Sequence, residues 1–121
     1  MNRRILLSGA LLAATGVALG AFGAHALRGI LHPAAAGWWQ TAVQCQMWHA
    51  LALVALGAAP LQRLALAAWL IGGGALIFSG SLYVMALTDL RVLGMVTPVG
   101  GLLMILGWLA LAWSAARAPK H

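Results

Sequence analysis

Acidic residues are all but missing from this chain, with Asp89 the only one in 121 residues. A water-soluble domain of this length needs charge over its whole surface, and this sequence does not supply it. A single acid also excludes paired carboxylates for general acid–base work. No acid falls inside a long apolar run, where a proton or cation carrier would need one. Cysteine is nearly absent too. Cys45 stands alone, so neither an internal disulfide nor a zinc site of paired cysteines can form, and redox compartment is not readable from it. There is no glycine-rich loop of the phosphate-cradling kind. A Ser–His–Asp set can be assembled on paper from Ser79 or Ser81, His49 and Asp89, but no spacing supports it. The expectation is a protein that is not an enzyme.

Apolar residues fill the space left by charge, at 64% of the chain. They fall in four stretches, about 5–27, 40–59, 64–87 and 92–116, of which the second is the most polar. Each has about 20 residues or more, enough at about 1.5 Å rise per residue to cross a hydrocarbon core about 30 Å thick. Backbone amides in lipid must pair within their own segment or in a closed barrel, and these runs lack period-2 alternation. The sequence therefore predicts an all-α fold, a single integral membrane bundle of four transmembrane helices. The first stretch, with Arg3 and Arg4 ahead of it and Ala24-His25-Ala26 at its end, imitates a signal peptide. Its apolar run exceeds the usual core of about 7–15 residues, and more membrane segments follow. It is expected to stay.

Seven basic residues against Asp89 give a formal charge of +6, scattered singly or near the ends. Nucleic-acid binding wants a basic stripe on one face, and none exists. The charge reads as topology signal and attraction to anionic lipid headgroups. With the N-terminus inside, Arg3, Arg4, Arg63, Arg117 and Lys120 lie on one side and Arg28 and Arg91 on the other. Both termini are thus expected to be cytoplasmic, with Trp38 and Trp39 at the outer interface and Trp69 and Trp113 near the inner one. Short connections at 60–63 and 88–91 make antiparallel neighbours. The longer one, Arg28 to Trp39, has room for an interfacial turn through Ala34-Ala35-Ala36.

Helices in lipid associate where small residues let backbones approach. Gly9, Gly16 and Gly23 recur at sevens in the first stretch, and Gly100, Gly107 and Ser114 do so in the fourth. Both stripes read as helix–helix seams, within the bundle or between two copies. Pro98, which cannot donate a backbone hydrogen bond, predicts a kink or widened turn.

Polar residues concentrate in one half of the membrane. The candidate pocket comprises His25, Gln40, Thr41, Gln44, Cys45, Gln46, His49, Ser79, Ser81, Tyr83, Asp89 and Thr97. Thr41, Cys45 and His49 share a helical face at four-residue spacing, with Gln46 one turn from His49. Unpartnered polar groups in hydrocarbon cost several kcal/mol each, so these side chains should face one another or a water-filled cavity. The plain reading is a hydrogen-bonded packing cluster, and the sharper one a site for a small molecule, ion or metal. Cys45, Met47 and His49 are soft ligands of the kind that suits copper, but Met47 points off the Cys45–His49 face. Met85, Met95 and Met104 read as packing residues. Asp89 is expected to pair with Arg91 or Arg28. No cofactor is expected.

Four ordered motifs carry a family resemblance: Ala18-Leu19-Gly20-Ala21-Phe22-Gly23-Ala24-His25; Trp39-Gln40-Thr41 leading to His49-Ala50-Leu51-Ala52; Phe78-Ser79-Gly80-Ser81-Leu82-Tyr83; and Thr97-Pro98-Val99-Gly100-Gly101. Together they resemble the bacterial small inner-membrane family of unknown function 423, whose animal relatives are called transmembrane protein 256. The resemblance covers almost the whole chain. It implies a four-helix, multi-pass protein of the bacterial inner (plasma) membrane with an uncleaved first helix, and supplies no activity, substrate or cofactor. The expected function is non-enzymatic binding or structural support of another membrane component, with membrane lipid, a membrane-protein partner or a second copy as partner. The alternatives are a small transporter or ligand carrier using the outer-half pocket, and a haem- or metal-binding subunit.

Overall fold

A computed structural model describes residues 1–59 and 64–119. Four helices account for most of them: α1 (Arg3–His25), α2 (Pro33–Ala58), α3 (Ala65–Thr88) and α4 (Thr97–Ala116). There is no strand among the described residues. The connection expected at 60–63, with Arg63, and Lys120 lie outside the described residues.

Local chemistry sets the helix ends. Asn2 caps α1 by accepting the Ile5 amide at 3.2 Å, satisfying one of the donors a helix start leaves free. α2 begins at Pro33, well ahead of the expected residue 40, and the interfacial turn imagined at 34–36 is its first turn. His32 caps it, Nδ1 accepting from the Ala35 amide at 3.2 Å, and Pro33 stands where a missing N–H costs nothing. α3 stops where Asp89 enters the left-handed region at φ 58°, a conformation that Asp tolerates better than most side chains. Pro98 does not kink a continuous helix. Residues Arg91–Met95 wind as a 3-10 turn, and α4 starts afresh with Pro98 in its first turn.

The helices follow one another in space as they do in sequence. α1 packs on α2, α2 on α3 and α3 on α4, so α2 and α3 form the centre and α1 and α4 the flanks. The glycine stripes are the seams. A Cβ on Gly9 would stand 2.7 Å from the Val54 amide nitrogen, and one on Gly16 2.5 Å from the Met47 sulfur. Gly23 meets the Trp39 indole in the same way. In the other seam, Gly100 approaches the backbone of Gly74 and Phe78, and Gly107 that of Ala67 and Ile71. Both stripes are taken up inside one chain, so the reading of them as seams between copies is withdrawn.

The connections of α1 to α2 and of α3 to α4 share one end, joined by His32 and Asp89. At the other end the Asn2 amide donates to the Gly57 carbonyl at 2.8 Å. There Ile5, Leu53, Leu56, Leu64, Ala68 and Ile71 make an apolar core. The outward faces are also apolar. Leu7, Leu11 and Val17 of α1, Trp48 and Leu51 of α2, Leu66, Leu76 and Leu87 of α3, and Leu102, Ile105 and Leu109 of α4 are all exposed. Soluble monomers do not leave apolar surface of this extent uncovered. α1, α3 and the segment Arg91–Ala116 are each long and apolar enough to cross a membrane.

Candidate functional site: polar junctions between the helices

The interior polar residues form separate junctions, each tying particular helices, and not one common pocket. At the first, Gln46 of α2 reaches both neighbours. Its amide nitrogen donates to the Leu12 carbonyl and to Thr15 Oγ1 of α1, both at 2.9 Å, and its Oε1 accepts the Tyr83 hydroxyl of α3 at 2.6 Å. A cavity of about 200 Å³ lies beside it, lined by Thr15, Gln46, Ser79 and Tyr83 among apolar residues. The second joins α2 to α4. Trp108 can only donate, so its bond of 3.0 Å to His49 makes Nε2 the acceptor and leaves the proton on Nδ1. That proton goes to the Cys45 carbonyl at 2.7 Å, while the Cys45 thiol lies 3.4 Å from the Met104 sulfur. At the third, Ser79 donates to the Ala42 carbonyl at 2.8 Å, and Ser81 and Thr97 share a hydrogen bond of 2.6 Å between α3 and α4.

Of the twelve sequence candidates, Cys45, Gln46, His49, Ser79, Ser81, Tyr83 and Thr97 are drawn into these junctions. His25, Gln40, Thr41, Gln44 and Asp89 are exposed and stay outside them. Thr41 therefore does not follow Cys45 and His49 inward. His49 takes Trp108 and its own helix backbone as partners. Three soft donors do meet here, with Met104 in the place Met47 was considered for, since Met47 packs against Gly16 of α1. Both His49 nitrogens are already committed, however, and the thiol points at a thioether.

Two tryptophans and one histidine were missed. Spacing within α4 does not mark Trp108, because its partner His49 lies on another helix. Trp39, expected at the interface, is 4% exposed; its indole donates to the Leu19 carbonyl at 2.9 Å and its ring meets Tyr83 edge-on at 4.7 Å. The signal for an inward Trp39 was Gly23, whose missing side chain makes room for the ring. His32 partners Asp89. Its Nδ1 is occupied by the Ala35 amide, so Nε2–H donates to the carboxylate at 3.1 Å, with Arg91 at 3.6 Å from the same oxygen and stacked on Trp38. Arg28, the other expected partner, makes no ion pair with Asp89. The His-Pro sequence ahead of an apolar run was the readable sign of a helix cap.

The hydrogen bond from His32, with the charge of Arg91 behind it, holds the Asp89 carboxyl below its ordinary value. A depressed acid contributes stability above its unfolded-state pKa and loses it as pH falls through the folded value. The melting temperature of the detergent-solubilised protein should therefore decline below about pH 4. Asp89→Asn should flatten that limb; an unchanged acid limb would show that the pairing adds nothing.

An all-helical chain that turns apolar side chains outward and joins its polar ones between helices is a membrane protein. The comparisons agree. A family model described as a protein of unknown function, DUF423, matches residues 19–101. The chain is 45% identical to a UPF0382 membrane protein of Staphylococcus haemolyticus, over 93% of this chain and 94% of the relative. It is 39% identical to the UPF0382 membrane protein YwdK of Bacillus subtilis, over 93% and 95%, and 39% identical to the UPF0382 inner membrane protein YgdD of Escherichia coli, over 86% and 82%. The chain belongs to this family of membrane proteins of unknown function. No solved structure matches it.

Proposed function

We propose that this is a non-enzymatic protein of the bacterial inner membrane that binds or supports another membrane component. It crosses the bilayer four times with both termini in the cytoplasm. The observation that carries this reading is the satisfied interior: among the described residues, no buried side-chain nitrogen or oxygen lacks a hydrogen-bond partner. Groups that are fully engaged with one another hold helices together and are not poised for chemistry. What remains available for function is the outer surface.

The fourth crossing is α2. Its buried polar side chains, Gln46 and His49, face neighbouring helices, while Gln40, Thr41 and Gln44 lie toward the connection end. Five basic residues against two support the orientation. The inner-membrane name of the Escherichia coli relative supports the location.

The full-length chain, isolated from native bacterial membranes in mild detergent, should retain a second component, protein or lipid, in stoichiometric amount. A chain that elutes bare overturns the reading. A ligand carrier working through the cavity beside Gln46 takes second place, because about 200 Å³ falls short of the roughly 300–1,000 Å³ of ordinary ligand pockets.

A further inference from the structure

A second hollow lies on the flank between the end of α1 and the start of α2. It is an open groove of about 460 Å³. Gly20, Gly23 and Ala24 of α1 border it, with Val43 and the Trp39 ring of α2 packed against Gly20 and Gly23. Gln40 and Gln44, exposed and one helical turn apart, run along its side, and Arg28 stands at the end where α1 turns into α2. The groove thus has an apolar α1 side, carboxamides along α2 and a guanidinium at the connection, the end where a phospholipid carries its phosphate.

Charge decides which lipid. Asp89 is the only acidic side chain of the protein, and His32 and Arg91 occupy it. Arg28 makes no ion pair with it, so no side chain of this molecule can supply Arg28 with a carboxylate. At a membrane surface the neutralising group nearest to hand is a lipid phosphate, for which a guanidinium has matching donor geometry. An amine headgroup would bring its ammonium beside Arg28 with no acid to receive it. A neutral polyol headgroup leaves the phosphate charge to Arg28, and the carboxamides deeper in the groove can donate to the lipid's ester carbonyls.

We propose that this groove binds one anionic, glycerol-headed phospholipid. Its phosphodiester sits on Arg28, its ester carbonyls on Gln40 and Gln44 deeper in the groove, and an acyl chain lies along Gly20 and Ala24. The proposal rests on the reading that the protein binds a membrane component, and names that component and its site.

The test uses the full-length protein, delipidated in mild detergent and titrated with phosphatidylglycerol, phosphatidylethanolamine or inorganic phosphate under native mass spectrometry. One phosphatidylglycerol should bind, about tenfold more tightly than phosphatidylethanolamine, a difference equivalent to about 1.4 kcal/mol. Arg28→Gln should remove that preference, and Arg91→Gln, outside the groove, should leave it intact. Ala24→Trp should block the groove; Gln44→Leu, a surface change without a clash, should weaken the binding of both lipids severalfold if the tryptophan variant does not fold. Equal binding of the two lipids, or an Arg28→Gln protein that binds like the wild type, overturns the proposal. So does phosphate binding without lipid binding, which would give the site to the free anion. A chain that keeps a protein component from native membranes yet shows no lipid preference loses this assignment alone. A chain that keeps neither loses the functional reading with it.

Discussion

Gly100→Ala should release α4 from α3 and destabilise the protein by about 3 kcal/mol, the upper part of the range for overpacking. The added methyl would lie 2.6 Å from the Gly74 carbonyl oxygen and 2.9 Å from the Phe78 Cα. Both are backbone atoms in the middle of a helix, so no side-chain rotation relieves the clash; the helices must separate. Separation opens the Ser81–Thr97 bond across the same seam, and the shift of α4 draws Trp108 from His49 of α2. Gly80→Ala is the matched control. A Cβ there meets nothing within 4 Å, so its effect should stay within about 1 kcal/mol. Unfolding of both variants in detergent measures the difference. Equal stabilities would show that the close approach of α3 and α4 does not hold the bundle.

The glycine seams were legible in the sequence because lipid removes the other cue. A helix in water shows its buried face by an apolar stripe, but here outward faces are as apolar as inward ones, and only small residues at sevens mark the contact. The direction of the polar residues was less legible for the same reason. Gln40, Thr41 and Gln44 look no different in sequence from Cys45, Gln46 and His49. What separates them is which neighbour lies alongside: Gln46 meets Tyr83, 37 residues on, and His49 meets Trp108, 59 residues on. Spacing within one helix carries no information about such partners. Asp89 is a third case. Formal charge points to Arg91 and Arg28 as its partners, whereas His32, its other nitrogen occupied as a helix cap, donates the shortest bond. The arginine left over, Arg28, then becomes the residue that asks for a partner from outside.

Gln46→Leu should destabilise the protein by about 2–4 kcal/mol. Three hydrogen bonds leave with the amide, to Leu12, Thr15 and Tyr83. Such bonds contribute about 0.6 kcal/mol each on average within membranes, and at most about 1.7. The Tyr83 hydroxyl is also left without its acceptor, at a further cost of about 1 kcal/mol or more. Tyr83→Phe alone should cost about 1 kcal/mol, since the ring keeps its packing on Trp39. The double variant should then be less destabilised than the sum by about 1 kcal/mol, because the orphaned hydroxyl that penalises Gln46→Leu is already gone. Unfolding of the four proteins in one detergent gives this coupling directly. A coupling of that size identifies the junction as a tie between α1, α2 and α3 that holds the empty protein together. Strict additivity, with the wild-type fold retained, would mean that the pair contributes nothing to the resting bundle, and would return the small cavity beside it to candidacy as a ligand site.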